Sequence, residues 1–270
     1  MNKKIVVVLT ACINPNGMIY TELQNRDERK KQYLNALYYY LTNTNFRIVF
    51  CENSGEDLID LKRRISNPRV EMLSFQGNDY NKNLGKGYGE YRILQYAFQH
   101  SIFLKEATTI VKITGRLIVN NLVEVIRLHN NLFLHPRNFV YAEELKDHSE
   151  FDSRCVVASK EFFTDYFLAS NNTINDSIGY FFEHYLFDTI KTLPENYIVS
   201  GFALPLAFSG VSGSTGDEYR CKGMSYGKKL ALIRDFCQYK KRFFHHKNHL
   251  LYLRFSVVSF VVRIMKFMYK

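Results

Sequence analysis

Four apolar runs, at residues 5–11, 46–51, 70–75 and 108–113, set the terms on which this chain folds. Each is dominated by aliphatic, β-branched and aromatic residues rather than by a strict apolar–polar alternation. Strands of that kind are buried on both faces, the condition of a parallel sheet covered by helices. The segments between the first three runs supply the helices. Asp27 is placed to cap one whose stripe is Leu34, Leu37, Tyr38 and Leu41, and residues 58–65 form a second, stopped by Asn67-Pro68. Asn14-Pro15-Asn16-Gly17 is turn chemistry. A β-α-β-α-β series predicts an α/β fold with a mostly parallel, Rossmann-type sheet.

In such a sheet ligands gather outside the carboxyl ends of the strands. Lys112 and Arg116 fall at or just past the end of the fourth run, and two cations there ask for an anion. Upstream lies Gly85-Lys86-Gly87-Tyr88-Gly89, expected as a loop in front of a helix that opens at Glu90 and carries Ile93, Leu94, Ala97, Phe98 and Ile102. The loop lacks the third glycine of a dinucleotide fingerprint at its proper place and the Gly-Lys-Ser/Thr of a Walker A loop.

The charge is unevenly spread. Of the formal +10, residues 218–270 contribute 13 Lys/Arg against 2 Asp/Glu, and residues 1–217 hold 23 against 24. A near-neutral body with a basic, aromatic-rich tail argues against nucleic acid as a partner and for an anionic membrane surface. Within the tail, the stretch 240–247 is a basic knot that includes His245-His246, and the apolar segment 250–268 is interrupted by Arg254, Arg263 and Lys266. That segment is too broken to span a bilayer and is expected to lie in the interface as an amphipathic helix. Five cysteines without CxxC or Cys/His metal spacing, and no cleavable leader pattern, predict reduced thiols and a cytoplasmic protein. The expected division is a domain over 1–217 and the tail over 218–270.

Four motifs, C-E-N-S-G at 51–55, G-K-G-Y-G-E at 85–90, K-I-T-G-R at 112–116 and F-F-E-H-Y-L at 181–186, occur in an order and spacing similar to the GT-A glycosyltransferases. More narrowly, they resemble glycosyltransferases of bacterial capsule and lipopolysaccharide clusters. The likeness covers roughly residues 4–217. It implies a GT-A-like sheet, a nucleotide-sugar donor and a glycan or lipid-linked glycan acceptor, with the protein peripheral on the inner face of the cytoplasmic membrane. It also implies donor contacts from Thr10, Ala11, Glu52, Asn53, Ser54, Lys86, Gly87, Gly115 and Asp152.

The chain departs from that family at one point. Where GT-A enzymes place the metal-binding D-x-D, it has Ile113-Thr114-Gly115-Arg116, with no carboxylate between Glu106 and Glu124. No metal ligand is assigned. Magnesium or manganese held from elsewhere, for instance by Asp152, stays open. Without D-x-D the charge of the departing phosphate falls to fixed cations, Lys112 and Arg116, with Lys86 as a third. For the base that deprotonates the acceptor hydroxyl in an inverting transfer, the resemblance implies Glu183, among Phe181, Phe182, Tyr185 and Phe187. Asp176 and His184 are the alternatives. Residues 201–219, with four glycines, are expected as a flexible loop that closes over the donor or links to the tail. Two other readings stand beside this one. The chain is a non-catalytic binding protein of the same fold, or another nucleotide-using α/β transferase such as a methyltransferase.

Overall fold

The computed structural model describes residues 4–145, 149–169, 172–213, 215–243 and 249–268. In chain order the elements are β1 (Ile5–Ala11), α1 (Arg26–Asn43), β2 (Arg47–Glu52), α2 (Ile59–Ile65), β3 (Val70–Ser74), α3 (Gly85–His100), α4 (Ile102–Glu106) and β4 (Thr109–Thr114). There follow β5 (Ile118–Val119), α5 (Leu122–Leu132), β6 (Phe139–Tyr141), β7 (Cys155–Ser159), α6 (Phe182–Lys191) and β8 (Ile198–Ser200). A hairpin of β9 (Phe208–Val211) and β10 (Glu218–Tyr219) precedes α7 (Tyr226–Phe243) and α8 (His249–Met268).

The central sheet has seven strands in the order β3-β2-β1-β4-β7-β6-β8. All neighbours are parallel except β7, which runs antiparallel to both β4 and β6. The fold is therefore mixed α/β with a mostly parallel sheet flanked by helices. Alternation along the strands divides the core. Val6, Val8, Val49, Cys51 and Ile110 pack with Tyr91, Leu94 and Ala97 of α3, whereas Phe50 meets Tyr33 of α1 on the other face at 6.2 Å between ring centroids.

The chain resolves into two compact units. The first comprises Met1–Ile118, Asn138–Gly201 and Phe208–Tyr219 and contains the whole seven-stranded sheet. The second comprises Val119–Arg137, Phe202–Ala207 and Arg220–Lys270. Its core is aromatic: Phe133, Phe202 and Phe236 gather around His129, whose Nε2 accepts from the Ala203 N–H at 2.9 Å, and Phe255 packs edge-on against Phe133. Glu124 of α5 pairs with Lys229 of α7 at 2.7 Å. The division is thus not the expected cut near residue 217, because the basic helices share a core with α5 and the 202–207 segment. Of the basic stretch 240–247, the backbone of 240–243 closes α7, and residues 244–248, His245 and His246 among them, lie outside the described residues.

Several local expectations are corrected. The cap of α1 is Asn25, which accepts the Glu28 N–H, and Asp27 stands in the first turn. The buried face of α1 is Arg29, Tyr33, Ala36, Leu37 and Tyr40, and Tyr38 points outward. The polar ends of the buried pair Arg29 and Tyr33 reach the Cys12 carbonyl, so burying them leaves no unsatisfied group there. The glycine run is not a loop before the helix but the first turn of α3. Ile102 is exposed and opens α4 instead of continuing the α3 stripe. The glycine-rich stretch near 201–219 is largely the β9–β10 hairpin.

Candidate functional site

The C-terminal ends of β1 and β4, the loop after β2, the first turn of α3, the segment before β7, the start of α6 and the β9–β10 hairpin enclose a cavity of about 410 Å³, entirely within the first unit. Its lining includes Thr10, Ala11, Asn53, Lys86, Gly87, Arg116, Asp152 and Glu183 from the expected set. That volume suits a small-molecule ligand.

Arg116 follows β4 through Gly115, where any side chain would collide with the carbonyl of Thr10 on the adjacent strand. Arg116 is only 6% exposed, and its guanidinium bonds to uncharged partners, Nη1 donating to Gln32 Oε1 at 3.2 Å with Tyr33 as a second partner. Its Nε is buried with no hydrogen-bond partner. Burial pulls its pKa below the usual arginine range, and the neighbouring Arg29 adds to that, yet arginine stays charged in proteins. A buried cation without an opposing carboxylate is costly unless an anion arrives. Gly213 in the hairpin makes room for this group, since a Cβ there would overlap Nη2. Close by, Asn53 has its amide oxygen buried and unpartnered.

A second cluster lies under the cavity floor. Lys112 is fully buried. Its ammonium pairs with Glu90 Oε1 at 2.7 Å and donates to the Ser153 carbonyl at 2.5 Å, and it stands 4.9 Å from the Phe182 ring centroid. Thr10 Oγ1 donates to the same Glu90 oxygen at 2.7 Å, and Ser153 Oγ donates to Glu183 Oε1 at 2.5 Å. One lysine therefore ties together two carboxylates that line the cavity. This corrects the expectation for Lys112. It does not line the cavity; its charge is taken up by Glu90, which does, a residue read from sequence only as a helix opener. Glu183 sits in the first turn of α6, with one oxygen fixed by Ser153.

At the start of α3, Asp176 lies against the glycines. A side chain at Gly85, which has φ +82°, would collide with its carboxylate, and the Gly87 N–H points at Oδ2 at 3.4 Å. A carboxylate at a helix N-terminus meets the positive end of the dipole. Even so, burial raises the Asp176 pKa, with the Gly87 N–H and Lys86 offsetting part of the effect, and Oδ1 is buried without a partner. The native state then holds this proton more tightly than the unfolded chain, so stability falls as pH rises from the ordinary aspartate range through the raised value, and the penalty is present in full at neutral pH. Asp176→Asn is accordingly expected to raise the urea midpoint at pH 7, with a gain that shrinks as pH approaches the ordinary value of about 3.9. A lower midpoint at pH 7 would show instead that attraction to the helix outweighs burial.

Other expected residues have structural duties. Glu52 is fully buried and organises the loop after β2, accepting N–H groups of Ile13 (3.0 Å), Ser54 (2.8 Å) and Glu56 (3.0 Å) as well as the Ser54 hydroxyl. Neither Glu52 nor Ser54 lines the cavity, and Gly115 is where β4 closely approaches the Thr10 carbonyl. His184 Nδ1 accepts the Phe181 N–H at 3.3 Å and its Nε2 lies 3.3 Å from Glu150; His184 itself does not line the cavity, whereas Glu150 does. Arg29, Tyr33, Ser153 and Arg154 are lining residues outside the expected set. Arg154 embraces Asp152 through Nε (2.9 and 3.0 Å) and Nη2 (2.5 Å), and its guanidinium lies over Phe208 and Tyr219 of the hairpin at 4.5 and 5.1 Å.

The described residues offer no preformed all-protein cage for the divalent cation that GT-A enzymes imply. Magnesium and manganese take several oxygen ligands in one small space. Among the described residues no three His, Cys, Asp or Glu side chains converge in a group that could hold one. The carboxylates at the cavity are engaged separately: Glu90 by Lys112, Glu150 beside His184, Asp152 by Arg154, Asp176 at α3 and Glu183 by Ser153.

No protein-family model matches the chain, and no curated protein matches it. Among solved structures it is similar to a Desulfovibrio desulfuricans G20 protein assigned provisionally as a nucleotide-diphospho-sugar transferase, at 11% identity over 97% of this chain and 98% of that one, with a TM-score of 0.43. It is similar to a cytidylyltransferase from Leptospira borgpetersenii serovar Hardjo-bovis, at 11% identity over 98% and 95%, with a TM-score of 0.42. It is also similar to S. aureus TarS in complex with UDP, at 13% identity over 95% of this chain and 69% of that one, with a TM-score of 0.40. Likeness this distant says nothing about the substrate of the present chain.

Proposed function

We propose that the chain is a glycosyltransferase that moves a sugar from a nucleotide-sugar donor to a glycan or lipid-linked glycan acceptor, with inversion, in the building of a bacterial surface polysaccharide. Glu183 takes the proton of the acceptor hydroxyl as its oxygen bonds to the anomeric carbon. The bond from that carbon to the donor phosphate breaks, and its electron pair leaves on the phosphate. Arg116 receives the negative charge that develops there, and Lys86 lines the same cavity. The observation that carries this reading is Arg116 itself, a buried guanidinium with an unpartnered Nε in the wall of the cavity that Glu183 also lines. The four-motif resemblance supplies the substrate class. It also supports Thr10, Ala11, Asn53, Lys86, Gly87 and Asp152 as donor contacts.

The test is release of nucleotide from a panel of nucleotide sugars, with and without glycan acceptors and with and without EDTA. Turnover is expected with at least one donor and is expected to survive chelation. Arg116→Ala is expected to lower kcat by about 10²–10³-fold, the size of effect seen when one preorganised donor to a developing anion is removed. Abolition by EDTA with rescue by manganese would overturn the fixed-cation scheme. Tight nucleotide binding without turnover of any donor would favour the non-catalytic alternative.

A further inference from the structure

Helix α8 has two apolar faces, and the second unit uses one of them. Leu251, Phe255, Ser259 and Val262 are buried, in a helix that packs on α7 and α5. On the opposite side Leu250, Leu253, Val257, Phe260, Val261 and Ile264 are all 45–65% exposed. At 3.6 residues per turn those six fall within a sector of about 100° and run for about 21 Å along the helix. Arg254, half-buried with its Nε donating to the Asn131 carbonyl at 2.8 Å, and the exposed Arg263 lie on either side of that sector, and α8 contains no Asp or Glu. A continuous exposed apolar stripe marks an interaction surface.

The charges decide what covers it. A second copy laid stripe to stripe would bring cationic flanks together, with no acid on α8 to pair with them, whereas paired helices rely on opposite charges beside the apolar seam. An anionic lipid surface satisfies both features at once, the acyl boundary taking the apolar side chains and the headgroup phosphates the arginines. The surrounding residues 218–270 carry 13 Lys/Arg against 2 Asp/Glu, which extends the same preference. Among the described residues no helix is long and apolar enough to cross a membrane. We infer that α8 is a membrane-surface helix that lies on anionic lipid with the Leu250–Ile264 stripe inserted, independently of the reaction at the cavity.

The chain contains no tryptophan, so Phe260→Trp gives the full-length protein a single indole reporter. With vesicles of phosphatidylcholine containing about one-third phosphatidylglycerol, its emission is expected to shift to the blue and to be quenched by brominated lipid. With phosphatidylcholine alone the effect is expected to be weak, and raised salt is expected to diminish it. In the otherwise native chain, the double change Leu253→Glu and Val257→Glu is expected to lower cosedimentation with the anionic vesicles by about tenfold or more. Both sites are exposed, so the circular dichroism and melting of that variant are expected to match the parent. No shift with either vesicle would overturn the inference. So would a shift without lipid that tracks a dimer mass in light scattering, which would identify a second copy as the occupant. Because the readout is lipid contact, its failure is distinguishable from failure of the sugar-transfer reading.

Discussion

Glu183→Gln is expected to lower kcat for glycosyl transfer by about 10²–10⁴-fold, the range for removing a positioned general base, while nucleotide affinity stays unchanged. The substitution keeps the shape of the side chain and keeps an oxygen to accept the Ser153 hydroxyl, now held at 2.5 Å. It removes only the ability to take a proton. Single-turnover measurement at saturating donor separates the chemical step from binding, and titration with the nucleotide product checks that the cavity is intact. Ser153→Ala is the companion. It leaves the carboxylate but releases it from its fixed position, so a smaller loss than that of Glu183→Gln is expected. If Glu183→Gln turns over within about twofold of the parent, the proton goes elsewhere. Asp176, whose Oδ1 is buried without a hydrogen-bond partner in the lining of the same cavity, would then be the group to examine.

The parallel sheet was legible because its cause is local. Ile5–Ala11, Arg47–Glu52, Val70–Ser74 and Thr109–Thr114 each carry enough β-branched and aliphatic mass to demand cover on both faces, and each strand falls within about a residue of its expected place. Arg116 was legible for a related reason, since a cation after the last buried residue of a central strand lands at the ligand-binding edge of an open sheet. The residues that were misplaced depend on partners far away in sequence. Lys112 looked like an edge cation, but the register sets it opposite Val8 of β1 and Val156 of β7, in the middle of the sheet. The antiparallel β7 that encloses it lies more than forty residues downstream. Glu90 was hidden by its glycine neighbours, whose composition suggests a loop. They are in fact helical, and glycine is required because Asp176 and Tyr80 occupy the space where side chains would be. The α1 stripe failed in the opposite sense. Counting apolar residues favoured Leu34 and Leu41, whereas the helix buries Arg29 and Tyr33, whose polar ends find the Cys12 carbonyl, a pairing no periodicity records. The hairpin after residue 207 was obscured likewise, because Gly210 fits a strand only where the backbone of Arg116 and Leu117 approaches closely.

Lys112→Met is expected to destabilise the protein by about 3–5 kcal/mol, the cost of breaking a buried ion pair by deleting one partner. The lysine is completely enclosed and bonded to Glu90 and to the Ser153 carbonyl, so the substitution leaves a carboxylate facing an apolar side chain and a main-chain oxygen without its donor. Combining it with Glu90→Gln removes the orphaned charge. The double variant is therefore expected to be more stable than Lys112→Met alone, with a coupling within the 0.5–3 kcal/mol typical of residues in one network. Urea unfolding of the parent, the two single variants and the double variant supplies the cycle, read from midpoints at constant slope. The experiment also decides between the two roles given to this residue. A lysine that contacts the donor phosphate directly would leave folding nearly unaffected when replaced and would cost nucleotide affinity. A lysine that braces the floor would cost stability first, and activity would fall because Ser153, and through it Glu183, is no longer held. Stability within about 1 kcal/mol of the parent, together with lost nucleotide binding, would return Lys112 to the phosphate and overturn the arrangement in which Arg116 faces the leaving group without it.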